Sequence, residues 1–210
     1  MTTESDESEK NAKNSGIRTG YNFDDAKWFA TTSLGIMLIS YIGMVNSGIS
    51  YFGLSFDIGS FLGLGPLLLS ESMMMIPAHF VISMLFFAGG IEWYFLCRHC
   101  PCYEHSGAEH DDEGKFYCLA NWGSPKIFEY DPSPISARGK VVFLVWGIGF
   151  AFLFQVLYLW DRLDWLMAYL VLTAVFLVTL RHWACSSCPN ITCVLNCVPE
   201  KNKVAFIEKR

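Results

Sequence analysis

Long uncharged stretches separated by short polar ones run along this chain. Four apolar runs each have roughly the 20 residues that a helix needs to cross the hydrocarbon core of a bilayer. They are residues 28–47, 72–96, 141–160 and 165–183. Short connections make consecutive spans antiparallel neighbours. The pattern predicts an all-α integral membrane protein with a four-transmembrane-helix bundle, built from two hairpins at 28–96 and 141–183.

The connection between the first two runs, residues 48–71, has a different character. It is interrupted by glycines and by Pro66, which disfavour a helix. Its apolar part, between Asp57 and Glu71, is too short to cross a bilayer. We therefore expect a re-entrant or interfacial segment that caps the bundle.

Small residues spaced four positions apart occur within two of the runs. Gly43 with Ser47 and Gly147 with Ala151 would each let a neighbouring helix approach closely. These pairs predict two helix-packing positions.

The composition agrees with a membrane protein and excludes some functions. Hydrophobic residues make up 52% of the chain and charged residues 17%, whereas soluble domains carry about a quarter charged residues. Residues 1–27 are polar and acidic, which predicts a disordered tail without the apolar core of a signal peptide. The net charge of −5 and the absence of a basic stripe argue against nucleic acid as a partner.

The basic residues predict the orientation. With four spans, the N-terminal tail, the 97–140 segment and the 184–210 tail share one side of the membrane. That side holds every Lys and Arg of the chain's 15 except Arg162. Orientation follows Lys and Arg. We therefore expect a multi-pass protein of the plasma membrane with both termini in the cytoplasm.

All eight cysteines lie on this predicted cytoplasmic side, in two sets. The sets are Cys97, Cys100, Cys102 and Cys118, and Cys185, Cys188, Cys193 and Cys197. Clustered cysteines in a reducing compartment point to metal or redox chemistry. Thiolates suit an iron–sulfur cluster or, as the alternative, zinc. Four disulfides on an external face, or unligated thiols packed at helix ends, are the competing readings.

The grouping of the cysteines stays open at this point. Both sets begin Cys-x-x-Cys-Pro at the end of an apolar run, and each set could form its own site. Alternatively, Cys97 and Cys100 could join Cys185 and Cys188 in a zinc-ribbon-like site, which leaves the other four for a second site. Spare ligands in the first segment are His99, His105 and His110.

The tail that runs Arg-His-Trp-Ala-Cys-Ser-Ser-Cys-Pro-Asn from Arg181 resembles the ends of uncharacterised archaeal multi-pass membrane proteins, some from anaerobes such as methanogens. The likeness extends to the Cys97–Lys126 segment. It implies no activity, only an anaerobic, iron–sulfur-rich setting.

Ionisable residues within the runs form a second candidate site. Glu71 immediately precedes the second apolar run, and His79 and Glu92 lie within it. Ionisable groups inside a membrane span suggest a function by default. His79 could accept a proton or face a quinone, and Glu92 could lie on a proton path. The simpler interpretation is that His79 bonds a neighbouring helix and Glu92 reaches the surface. No second buried partner for His79 is identifiable in the sequence.

Three functions follow from these patterns. The first is electron transfer by two cytosolic cysteine-ligated centres between a soluble redox partner and a membrane carrier or partner subunit. The second is a structural or adaptor membrane protein stabilised by zinc, and the third is an enzyme or transporter that uses His79 and Glu92. No catalytic nucleophile or nucleotide-binding motif is present in the sequence.

Overall fold

A computed structural model describes residues 16–18, 20–63, 65–66, 68–87, 90–105, 119 and 127–207. The side chains of Phe87, Glu104 and His105 are not among the described features. Several predictions lie outside these residues: the disorder of most of the N-terminal tail, the acidic centre of the 97–140 segment, and the ligand roles of Cys118 and His110.

Four helices are long and apolar enough to cross a membrane. They comprise Phe23–Val45, Glu71–His99, Ala137–Leu159 and Leu163–Ser187. This confirms the coarse form of the predicted class, a mostly helical chain with four helices able to span a membrane. A polar cap begins the first span. The Asn22 side chain accepts from the Asp25 amide (2.8 Å) and the Asp25 carboxylate accepts from the Asn22 amide (3.0 Å), a reciprocal capping box.

The spans contain the following regular elements, numbered in chain order. The first is α1 (Phe23–Val45), and the second combines α3 (Glu71–Phe87), α4 (Ile91–Phe95) and a 3₁₀ turn at Cys97–His99. The third combines α6 (Ala137–Phe143), a π-helical stretch at Leu144–Leu153 and α7 (Phe154–Leu159). The fourth is α8 (Leu163–Trp183), followed by a 3₁₀ turn at Cys185–Ser187.

Shorter elements lie between and after the spans. They are β1 (Ser55–Asp57), α2 (Ile58–Phe61), β2 (Leu68–Ser70), α5 (Pro101–His105) and α9 (Glu200–Ile207). The strands pair antiparallel with Phe56 opposite Leu69. An all-α description was therefore incomplete. Glycines on either side prevent a continuous helix here, and pairing satisfies the backbone of a segment too short to span.

The chain divides into two compact units. The terminal unit contains the described residues of 1–32, 92–143 and 175–210, and the central unit contains 33–91 and 144–174. In the terminal unit, Tyr21, Leu119 and Ala184 pack together, and Trp93 packs with Cys97 and Tyr103. Aromatic and thiol side chains thus form its apolar cores.

Close helix packing in the central unit depends on Gly43. A Cβ atom at Gly43 would lie 2.9 Å from Cβ of Trp165 and closer still to the Leu159 side chain. Its partner in the predicted pair, Ser47, donates a hydrogen bond to Asp161 Oδ1 (2.9 Å). The prediction that another helix approaches at this position is confirmed. Gly147 of the second pair is buried within the π-helical stretch.

Candidate functional site

The two Cys-x-x-Cys-Pro segments of the terminal unit adopt the same backbone turn. Cys97–His99 and Cys185–Ser187 are both 3₁₀ turns, and each is closed by a 3.3 Å hydrogen bond, His99 N–H to Leu96 O and Ser187 N–H to Ala184 O. The second cysteine of each motif is extended, with φ −91° and ψ 133° at Cys100 and φ −73° and ψ 130° at Cys188. A following proline disfavours the helical region, so the sequence itself ends both turns at that cysteine.

The C-terminal cysteine segment folds back onto its own first turn. The amide of Cys197 donates to the carbonyl of Cys185 (3.0 Å). The Asn196 side chain donates to the carbonyls of Cys188 (3.0 Å) and Asn190 (3.1 Å). A loop of little regular structure is thereby held compact, with its four cysteines half-buried.

Both cysteine segments meet within the terminal unit. The side chain of Asn190 donates to Leu96 O (3.3 Å), next to the first turn, and the amide of Ile135 donates to Thr192 Oγ1 (3.3 Å). The thiols of Cys100 and Cys193 are near enough to influence each other's charge. The structure therefore brings Cys97–Cys102 together with Cys185–Cys197, although more than 80 residues of sequence separate them.

The pKa values of thiols in both cysteine segments are raised. A hydrogen bond with the Cys102 side chain, followed by burial, raises the pKa of Cys100 well above its usual range. Burial, followed by the proximity of Cys100 and Glu92, raises the pKa of Cys193. Negative charge is thus unfavourable here, and a bound cation would relieve it.

Glu92 lies beside the two cysteine segments. It lies in α4, one turn before the first cysteine turn, and is only 5% exposed. The expectation that it reaches the surface was wrong, because packing in the terminal unit buries it beside Cys193. Among the described residues, no group of three His, Cys, Asp or Glu side chains is arranged to hold a metal ion.

A second site lies in the central unit, where His79 links all four spans. Its ring nitrogens contact the Tyr41 hydroxyl of α1 (2.8 Å) and the Gln155 amide of α7 (3.0 Å). Gln155 in turn is within 3.4 Å of the Tyr169 hydroxyl of α8. His79 is 1% exposed and stacks on the rings of Phe150 and Phe154. His79 therefore bonds neighbouring helices, as the simpler interpretation expected, and Gln155 is a buried partner that the sequence did not identify.

His79 and Gln155 share a hydrogen-bonded contact beside the Ala151 carbonyl. Gln155 Nε2 donates to that carbonyl (2.7 Å), and the same nitrogen lies 3.0 Å from His79 Nε2. His79 Nδ1 lies 2.8 Å from the Tyr41 hydroxyl. His79 thus contacts neighbouring helices at both of its ring nitrogens.

The π-helical stretch supplies acceptors to this network. A π-helix widens the turn and shifts the i→i−4 bonding pattern, and it often occurs at functional positions. The carbonyl of Ala151 accepts from Gln155, and that of Phe152 accepts from the Tyr169 hydroxyl (2.6 Å). Side chains thus satisfy carbonyls that no water reaches in a bilayer.

Glu71 lies in a separate cluster of the central unit, at the start of α3. It is 1% exposed, and its carboxylate accepts from the Ser50 hydroxyl and from the amides of Tyr51, Phe52 and Leu54, at 2.7–3.4 Å. The Tyr158 hydroxyl of α7 donates as well (3.2 Å). We call this arrangement the Glu71 clamp. Its position at a helix N-terminus also favours a carboxylate.

The predicted intramembrane site is thus three separate arrangements. Glu92 lies beside cysteines, His79 in the four-span network and Glu71 in the clamp. Gln155 was not among the predicted site residues, although a lone amide within an apolar run is a signal of interhelical hydrogen bonding. The tyrosine hydroxyls were not predicted either, since tyrosine is common in membrane spans for other reasons.

No protein-family model, curated protein or solved structure matches this chain. The resemblance to archaeal membrane proteins stays a prediction, and the sites are interpreted from their own chemistry.

Proposed function

We propose that this protein binds metal through its two cysteine segments at one membrane surface and uses the centre to transfer electrons. The observation that carries the proposal is the matched pair of Cys-x-x-Cys-Pro turns within one compact unit. Two such turns are the usual way in which a chain presents four thiolates to one ion. Cys97, Cys100, Cys185 and Cys188 would be the ligands of this shared centre.

The donor chemistry supports the same proposal. Thiolates bind iron–sulfur clusters and zinc, and a positive centre lowers the cost of charge among crowded, buried thiols. Cys102, Cys118, Cys193 and Cys197 remain for a second centre. An iron–sulfur cluster there would exchange electrons with a soluble protein or a membrane redox partner.

The proposal includes a topology. Both termini and both cysteine segments face the cytoplasm of a plasma-membrane protein, and residues 48–71 lie at the opposite face. The distribution of Lys and Arg supports this orientation. When intact cells are treated with a membrane-impermeant thiol reagent, the cysteines of this protein should therefore stay unlabelled. Labelling of Cys185 or Cys188 from outside would overturn the topology.

The shared centre has a sharp test in paired serine variants of anaerobically purified protein. C97S/C100S and C185S/C188S should each lose the same amount of bound metal, and the quadruple variant should lose no more than either pair. Two independent centres would instead make the losses additive. Ser186→Ala and Ser187→Ala, within the second turn, serve as controls that keep every thiol.

A structural zinc centre is the second candidate function, and the likeness of the two turns favours it. Zinc sites built from two such turns lock chain segments together and contribute folding energy directly. Colourless protein with stoichiometric zinc would establish this alternative. Visible absorbance that dithionite bleaches would establish the iron–sulfur centre.

A further inference from the structure

The connection between α1 and α3 exposes large apolar side chains. In this segment, called the cap hairpin (residues 51–70), Phe52, Phe61 and Leu68 are 72, 78 and 68% exposed. Soluble surfaces rarely carry so many such residues in one contiguous stretch. The cap hairpin therefore calls for an apolar environment.

Several polar groups among the described residues of the cap hairpin have internal partners. Asp57, the one charged residue between 48 and 70, accepts hydrogen bonds from the Ser60 amide (3.0 Å) and hydroxyl (2.5 Å). Its two strands pair with each other. A segment facing lipid needs internal partners for its backbone, because hydrocarbon offers none.

Chain connectivity places the cap hairpin at a membrane boundary. α1 ends at Val45 and α3 begins at Glu71, so both ends of the segment join helices able to span the bilayer. The Glu71 clamp holds residues 50–54 against the start of α3 through three backbone amides and the Ser50 hydroxyl. This attachment limits how far the cap hairpin can move from the bilayer surface.

We propose that the cap hairpin inserts Phe52, Phe61 and Leu68 into the lipid leaflet at its own face of the membrane, and that the Glu71 clamp fixes its depth. The partner is the bilayer itself, since the segment is continuous with the spans and presents no unpaired charge. The proposed topology makes this the non-cytoplasmic leaflet. The proposed metal centre plays no part in it.

Photo-crosslinking in liposomes of phosphatidylethanolamine and phosphatidylglycerol tests the insertion. Benzoylphenylalanine replacing Phe61 should form covalent adducts with phospholipid, identified by mass spectrometry. The same residue at exposed Val171 of α8 is the positive control, and at the exposed, charged position Glu129 it is the polar control. Adducts at position 61 with a second copy or another protein, or none above the Glu129 control, would overturn the inference.

The role of the clamp has its own measurement. In Glu71→Gln, one side-chain N–H faces the amide donors, so the Tyr51 and Phe52 amides should exchange hydrogen about tenfold faster or more, as loss of a hydrogen bond to a charged group implies. Tyr158→Phe removes one donor but leaves the carboxylate, and should change these rates much less. Equal rates in Glu71→Gln and the parent would refute the clamp.

Failure of the topology can be distinguished from failure of the insertion. Protease added outside sealed, right-side-out vesicles reports the side on which the cap hairpin lies, whereas the lipid adducts report its depth. Lipid adducts on a segment cut only from the cytoplasmic side would overturn the topology and uphold the insertion. Cleavage by external protease without lipid adducts would uphold the topology and overturn the insertion.

Discussion

Two glycines of α1 allow helix packing to be measured against helix propensity. Gly43 is buried where a Cβ would meet Leu159 and Trp165, whereas a Cβ at Gly35 would meet nothing within 4 Å. Both lie inside the same helix, Phe23–Val45. The substitutions Gly43→Ala and Gly35→Ala therefore add the same methyl group to the same element in opposite surroundings.

The expected effects follow from this geometry. Alanine is favoured over glycine in a helix by about 1 kcal/mol, and both variants gain that amount. At Gly43 the Leu159 methyl can rotate away, but the Trp165 Cβ is attached to its backbone, so the helices must separate. Such overpacking costs about 1–3 kcal/mol. Gly43→Ala should thus have a free energy of unfolding about 1–3 kcal/mol below that of Gly35→Ala.

Reversible unfolding in mixed micelles with increasing sodium dodecyl sulfate measures this difference, with circular dichroism as the signal. Gly35→Ala should unfold at the same detergent fraction as the parent or a higher one, and Gly43→Ala at a lower fraction than Gly35→Ala. The same shift for both variants would show that Gly43 is not a packing contact. The α1 register in the central unit would then be wrong.

Four further predictions concern the network and the cysteines. A double-mutant cycle with His79→Ala and Gln155→Leu should give a coupling energy of about 0.6–1.7 kcal/mol, the range for hydrogen bonds between membrane helices, and zero coupling would refute the contact. Tyr169→Phe should lower the free energy of unfolding by about 1 kcal/mol because it loses the bond to the Phe152 carbonyl. Thr173→Val, one turn further along α8, should be neutral or stabilising, since among the described side chains Thr173 Oγ1 is buried without a hydrogen-bond partner; a clear loss of stability would contradict this. In metal-free protein, the raised thiol pKa of Cys193 leaves little thiolate near pH 8, so iodoacetamide should modify it slowly and faster as the pH rises towards that pKa. Peptide mass spectrometry gives the rate of modification. A rate equal to that of a free cysteine peptide would refute the raised pKa of the Cys193 thiol.

The sequence by itself determined the membrane class, because the need for about 20 apolar residues is a local property of each span. It also located the packing glycine Gly43 and placed both Cys-x-x-Cys-Pro motifs at helix ends. The form of the two turns is likewise local, since the proline after Cys100 and after Cys188 ends each turn. Short-range sterics and hydropathy suffice for all of these.

Only the tertiary structure decided which side chains meet. His79 and Gln155 are 76 positions apart and lie on different spans, so no periodicity connects them. The donors that surround Glu71 are backbone amides, which every residue has and no sequence pattern distinguishes. Glu92 is buried because the terminal unit folds around it, although its position near a helix end is typical of an exposed group. Partners of buried polar groups are chosen by the packing of whole helices, because hydrocarbon supplies no alternative partner for them.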